Sequence, residues 1–489
     1  MKAQNKSLAF SQRQTNLGFR FLDRHGTGVF KNRFIKKVGF SYAERRLGKN
    51  YIAELKNSPQ QPPGVIRDRY EMSLAILESL KRALNVYHLS EATLDSLMNI
   101  VVKDLFLNQE LRRQRSKEFR ETHGYITPSF IVISPSKACN LRCTGCYADS
   151  TEKVQTLSWD IVNKIVQDAR HLWGTQFVVI SGGEPLAYRS QGKTILDLVE
   201  NNPESFFMMY TNGTLIDDEV ASRMASLGNI VPAISLEGWR EKTDERRGEG
   251  VFNQVMAAMD RLFQAGVLYG VSLTATSQNA EEILSDDFIE FLFEEKHAVI
   301  GWIFQYMPIG RSFTLALMPT PEQRHAMWQQ SWKLIRKNRV FIADFWNHGT
   351  VVDGCLSAGG HNNGGYFYFE WNGNVTPCVF VPYSPVNVND IYSRGDDLNT
   401  IYDHPFFADI RSWQTNGSQK NLLMPCLIRD HNKALREFIQ KHEPDAIDRN
   451  AEMTLVDKAY ADGMDRYAQE YHDLADPVWE EHYLHAGRG

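Results

Sequence analysis

From about residue 126 onward, short runs of consecutive apolar residues alternate with stretches in which apolar positions recur every three or four. The runs are FIVIS (130–134), QFVVIS (176–181), FFMMYT (206–211), IVPAIS (230–235), YGVSLTAT (269–276) and AVIGWIFQYM (298–307). Between them lie SWDIVNKIVQDARHLW, KTILDLVE, DDEVASRMASLG, VFNQVMAAMDRLFQAG and DDFIEFLFEEKH. Continuous apolar runs separated by amphipathic helices predict a parallel sheet covered on both faces. Six such units are too few for a closed eightfold barrel and suit a partial barrel or open sheet. In either case the active site belongs at the carboxyl ends of the strands.

The flanks read differently. DRYEMSLAILESLKRALNVY (68–87) has helical spacing and follows the Pro-rich break NSPQQPPG (57–64), so residues 1–125 are expected to be mostly helical. After about 345 the helices thin out. FYFEWNGNVTPCVFVPYSPVNVND reads as a hairpin turning at Asn372-Gly373, and an acidic helical tail follows from about 432. The expected divisions are 1–125, 126–345, 346–435 and 436–489.

Composition changes this picture in two places. At 489 residues, 43% hydrophobic and 23% charged, the chain is an ordinary globular one of more than one domain. The net charge of −5 conceals a basic start, with thirteen Lys/Arg against three acidic residues in 1–56. Residues 441–489 run the other way, with twelve Asp/Glu against five Lys/Arg. A basic end of this kind suits a solvated face, an anionic partner or the chain's own acidic tail. No run reaches the roughly eighteen apolar residues of a membrane span, and MKAQNKSLAFSQRQTN lacks a signal's apolar core. The expectation is a cytoplasmic protein, where clustered cysteines more often bind metal than form disulfides.

Three of the six cysteines, Cys139, Cys143 and Cys146, fall within eight positions of SPSKACNLRCTGCYADS, just past the first strand. Thiolates at this spacing can face one iron–sulfur cubane and ligate three of its four irons, leaving the fourth open. Structural zinc, which wants four closed ligands, and inert packed thiols are the alternatives. Cys355, Cys378 and Cys426 form a second, dispersed trio.

CNLRCTGCY resembles the cluster loop of the radical S-adenosylmethionine (SAM) enzymes, and further matches follow in chain order. SGGEP (181–185) follows the second run, YTNG (210–213) the third and SLEG (235–238) the fourth, with DERRGEGVF (244–252) after it. The second trio resembles the twitch version of the SPASM/twitch extension, with too few cysteines for the full two-cluster pattern. The resemblance implies an α/β fold: a partial (β/α)6 barrel with a helical N-terminal region, a small α+β auxiliary-cluster domain and a helical tail. It also implies a 4Fe–4S cluster on Cys139, Cys143 and Cys146 that binds SAM and splits it by one electron into methionine and a 5′-deoxyadenosyl radical. An auxiliary iron–sulfur cluster is implied on Cys355, Cys378 and Cys426. Asp353, His361, Asp430 and His431 stand nearby in sequence as ordinary polar residues or a fourth ligand.

Site roles follow from the same resemblance. Gly182, Gly183, Glu184 and Pro185 form the turn that holds the methionine amino group, with Glu184 accepting from the ammonium directly or through a turn contact. Arg247 pairs with the SAM carboxylate, Ser235 and Glu237 meet the ribose hydroxyls, and Tyr147 lies near the adenine. Asn212 and Thr276 end strands facing the same cavity. Arg311, in QYMPIGR, is a candidate substrate contact or a cap on the sheet end. The implied partners are an unidentified substrate and an electron donor such as flavodoxin or ferredoxin. The stretch LGFRFLDRHGTGVFKNRFIKKVGF (17–40) adds an anionic membrane surface, which would place the protein at the inner face of the membrane; the sequence gives no strong sign of nucleic acid. A small or lipid-like substrate is favoured over a peptide one. The competing classes are a peptide-modifying maturase and a non-catalytic iron–sulfur protein that senses redox state.

Overall fold

The computed structural model describes residues 33–97, 109–150, 155–360, 364–416 and 421–485. Seven parallel strands follow one another in chain order across a sheet: β1 Phe130–Ile133, β2 Phe177–Ile180, β3 Phe206–Thr211, β4 Ile230–Leu236, β5 Gly270–Ala275, β6 Gly301–Gln305 and β7 Ile342–Asp344. The first six are the apolar runs of the sequence, and β7 is an addition beyond them. Because the strand order never reverses and crossovers are right-handed, successive helices fall on one face and the sheet curls as in a barrel. It remains open among the described residues, with β7 at one margin.

At the other margin the predicted hairpin joins the sheet. β8 (Tyr368–Phe369) pairs parallel with β1, and β9 (Asn374–Thr376) returns antiparallel after a turn containing Asn372 and Gly373. β11 (Val386–Asn387) adds antiparallel to β9, while β10 (Tyr383–Ser384) pairs apart with β12 (Asp445–Ala446). The auxiliary region is therefore continuous with the barrel sheet.

The two faces of the sheet differ, one packing on helices and the other lining a cavity. Ile131, Ile133, Val178, Ile180, Phe207, Met209, Ile234 and Leu236 are buried in one core with Val162, Ile165 and Ala169 of helix Trp159–Trp173 and Val255, Met259 and Leu262 of helix Val251–Gln264. The alternate positions, among them Val132, Val179, Met208, Tyr210, Ser272, Thr274 and Phe304, line a cavity of about 480 Å³. Period-two alternation sends neighbouring residues to opposite faces, so one apolar run supplies both a core and a cavity wall. Local signals set the helix ends: Ser158 caps helix Trp159–Trp173 through Ile161 N–H, and Gly174 closes it in left-handed geometry at φ 68°.

A second core ties the chain ends together. Val65, Met72 and Ala75 of helix Pro63–Val86 pack with Trp328, Trp332, Tyr471, Trp479 and Tyr483. At its centre the buried Asp68 accepts from Arg336 at 2.7 Å, Thr350 at 2.9 Å and Tyr483 at 2.7 Å. Side chains from before residue 125, from the sheet segment and from after residue 435 thus share cores. Of the basic, aromatic stretch, residues 17–32 lie outside the described residues, as does His361. Gly39 of that stretch sits inside helix Arg33–Asn57. No helix among the described residues is long and apolar enough to cross a membrane.

Candidate functional site

The loop that follows β1 carries Cys139, Cys143 and Cys146, and four neighbours hold its backbone. From β2, Gly183 N–H donates to Ser136 O at 3.0 Å and Glu184 N–H to Ala138 O at 2.8 Å. A Cβ at Gly183 would stand 2.1 Å from Ala138 O, and one at Gly182, whose φ is +118°, would stand 2.8 Å from Ser136 O. The close approach that these glycines permit is to the cysteine loop itself. Tyr147 ties the same two segments from the other side, its hydroxyl 2.6 Å from Ser181 Oγ and accepting from Gly182 N–H at 3.3 Å. Asn212 donates to Asn140 Oδ1 at 2.9 Å and lies 3.9 Å from the Cys139 sulfur.

Two arginines complete the frame. Arg246, which the sequence reading passed over, donates to Thr144 O at 3.1 Å, and Thr144 N–H returns a bond to Arg246 O at 3.0 Å. Arg311 donates to Cys143 O at 2.8 Å, to Asp149 Oδ1 at 3.2 Å and to Ser150 O. Its backbone N–H reaches Cys146 O at 3.0 Å. It does not line the cavity, and it clamps the cysteine loop from the end of the sheet, nearer to the expected cap than to the expected substrate contact.

Three other expected contacts also turn away from the cavity. Glu184 is buried and accepts from Leu186 N–H at 3.0 Å, Thr211 at 2.7 Å and Asn212 N–H at 2.8 Å. Burial raises its pKa against those bonds, and the carboxylate fixes the turn and the end of β3, the second of the two contacts expected of it. Pro185 opens the short turn behind it. Glu237 is fully buried beneath Arg246 at 2.6 Å and Arg247 at 2.7 Å. Thr276 donates from both N–H and hydroxyl to Asn279 Oδ1, at 2.6 and 2.9 Å. Glu184 and Thr276 thus satisfy a strand end or turn, and Glu237 holds the two arginines through Oε1.

What does line the cavity is Tyr147, Ser181, Gly182, Gly183, Asn212, Ser235, Arg246 and Arg247, together with all six cysteines. The first trio lies in mutual electrostatic reach: burial, then the charges of Glu184, Cys143 and Cys146, pushes the Cys139 thiol up to about 11. Burial works against the Arg247 charge, but Glu237 and the thiols of Cys143 and Cys146 outweigh it and hold its pKa above the usual value. The second trio converges likewise. Burial drives the Cys378 and Cys426 thiols up, Cys426 to about 12, and Cys355 acts electrostatically on both. Tyr366 OH lies 2.9 Å from the Cys378 sulfur. Asp430 is locked to buried Arg324 at 2.5 Å, and His431 meets Met424 O at 2.9 Å, so both are already partnered. Asp353 lies 3.4 Å from Arg69.

Among the described residues no three His, Cys, Asp or Glu side chains could hold one metal ion. Thiolates on a single zinc stand within roughly 4 Å of one another. Ligands to separate corners of a cubane stand farther apart, and three thiols facing one cavity are the donor type that such a cluster takes.

Residues 133–285 match the Radical SAM superfamily. The Fe-coproporphyrin III synthase of Methanosarcina barkeri is 29% identical over 169 residues, 34% of this chain and 41% of that protein. The mycofactocin maturase MftC of Mycolicibacterium smegmatis is 27% identical over 304 residues, 60% of this chain and 75% of the relative. This chain thus spans less than half of the first relative and three quarters of the second. Streptococcus suis SuiB bound to S-adenosylmethionine superposes with a TM-score of 0.52 at 19% identity, over 64% of this chain and 75% of SuiB, a likeness of fold. Residues 133–285, whose cysteine loop follows the first strand of this sheet, are thus a segment similar to the Radical SAM superfamily.

Proposed function

We propose that this protein is a radical SAM enzyme in which Cys139, Cys143 and Cys146 hold the 4Fe–4S cluster that binds SAM, and Cys355, Cys378 and Cys426 hold an auxiliary iron–sulfur cluster. The observation that carries the reading is that both trios open onto one cavity. A substrate seated there would lie within reach of both. The bound groups supply the electron that splits SAM and the radical that removes a substrate hydrogen; the chain supplies position and exclusion of water.

On this reading Gly182 and Gly183 present backbone to the SAM methionine end, with Glu184 and Pro185 shaping the turn beneath. Asn212 and Ser235 offer amide and hydroxyl from the β3 and β4 ends, Arg247 offers positive charge beside Cys143 and Cys146, and Tyr147 borders the adenine. Arg311 and Arg246 keep the cysteine loop rigid, and Thr276 shapes the end of β5. The enzyme draws electrons from a flavodoxin- or ferredoxin-type donor and works in the reducing cytoplasm, where free thiols persist. A membrane role for the basic stretch rests on its sequence alone. The maturase reading is favoured by the named relative MftC, which aligns over 60% of this chain.

The test is anaerobic reconstitution with iron and sulfide, reduction, and addition of SAM. Wild type should release 5′-deoxyadenosine, and Cys143→Ala should release none. A chain that binds iron but neither binds nor cleaves SAM is instead a redox-sensing iron–sulfur protein.

A further inference from the structure

Between the two trios the cavity is walled by rings rather than by charge. Tyr210 meets Phe304 edge to face at 5.3 Å between centroids, and Phe304 meets Phe345 at 5.7 Å and Phe380 at 6.1 Å. Phe380 packs on Trp346 at 4.9 Å and reaches Tyr147 at 6.1 Å. These six side chains come from β3, β6, the segment after β7, the hairpin and the cysteine loop, and all line the same cavity.

The ionisable side chains on that wall outside the trios are already engaged. Arg246 and Arg247 are bound to Glu237. Asp344 accepts from Gln305 Nε2 at 3.1 Å and from the N–H groups of Trp346 and Asn347, each at 3.0 Å. His348 accepts from Asp344 N–H at 3.1 Å and sits 3.0 Å from Ser331 Oγ. The cavity also reaches the surface past apolar side chains: Ile76, 43% exposed, lines it together with Met72, Val351 and Val352. The charges of Arg246 and Arg247 lie at the first trio, where Arg247 interacts electrostatically with Cys143 and Cys146. Among the rings and apolar side chains between the trios a charged group would therefore lose its water, whereas a neutral ring meets edge and face partners.

We propose that the substrate group seated between the trios is an uncharged aromatic ring or side chain, and that carboxylate- and ammonium-bearing counterparts of the same shape are excluded. The inference rests on the functional reading above for what is done to that group, but the selectivity of the chamber is measurable by itself. The reconstituted chain, saturated with SAM and left unreduced, is examined by saturation-transfer NMR. p-Cresol and indole are compared with 4-hydroxyphenylacetate and tryptamine, which carry opposite charges on the same rings. The neutral pair should bind, with each charged counterpart at least about tenfold weaker. Ala343→Phe, which fills the chamber from β7, should weaken the neutral pair by a similar factor. Val351→Trp, at the mouth, repeats the test should the first variant fold poorly.

Equal binding of charged and neutral probes, no binding of either neutral probe, or neutral binding untouched by a folded filling variant overturns the proposal. SAM cleavage is scored in parallel. A chain that takes up p-cresol and indole but never cleaves SAM loses the functional reading while its preference for neutral rings stands. A chain that cleaves SAM and admits tryptamine as readily as indole loses this inference alone.

Discussion

Gly183 shows how tightly single residues are constrained at this site. Its hydrogen position points at the carbonyl of Ala138, leaving no room for a methyl group. Gly183→Ala must push the cysteine loop away from β2 or distort the strand end, at a cost of at least about 2 kcal/mol. Urea unfolding should show that loss, and the reconstituted variant should hold iron poorly at the first trio. Unchanged stability would mean that the loop yields freely. The spacing of Cys139, Cys143 and Cys146 and the paired glycines were legible because the chemistry and the backbone each demand one residue type at a fixed offset. The contacts of Glu184, Glu237, Thr276 and Arg311 were not legible: Arg311 and, in part, Glu184 take partners far off in sequence, while Glu237 and Thr276 use nearer ones that only the folded turn brings together. Arg311, for instance, reaches back 168 residues to Cys143 O.

At the scale of elements, the six apolar runs and the hairpin could be read because strand and helix periods differ so plainly. Which side of a run faces a cavity could not, because Met208 on the wall and Met209 in the core are the same residue type. β7, only three residues long, lies below the length at which a pattern declares itself. The hairpin also carries a buried cost. Glu370, just after β8, is 1% exposed, and burial with the nearby Asp448 pushes its carboxyl up to about 8, only partly offset by Lys137 and Asn374. A folded-state pKa raised above the unfolded one means that the folded chain binds the extra proton. Glu370 should therefore cost no stability below about pH 4, and its penalty should grow as pH rises to about 8 and then level off. Glu370→Gln should match wild type near pH 4 and be more stable at pH 9 by on the order of a few kcal/mol. Melting curves of equal shape and spacing at both pH values would refute that assignment.

Across the whole molecule, the four expected segments meet in shared cores: helix Pro63–Val86 against the C-terminal helices, and the auxiliary hairpin against β1. Long-range packing of this kind leaves little trace in local composition, which is why the sequence suggested separable pieces. The consequence for function is that the two cysteine trios are fixed relative to one cavity by continuous sheet and core. The central claim is that each trio holds its own cluster on that cavity. It is tested most directly by counting iron and sulfide in three anaerobically reconstituted proteins: wild type, a Cys139/Cys143/Cys146 triple alanine variant and a Cys355/Cys378/Cys426 triple alanine variant. The account predicts roughly eight irons in wild type and roughly four in each variant. Four irons in wild type, unchanged by loss of the second trio, would contradict it.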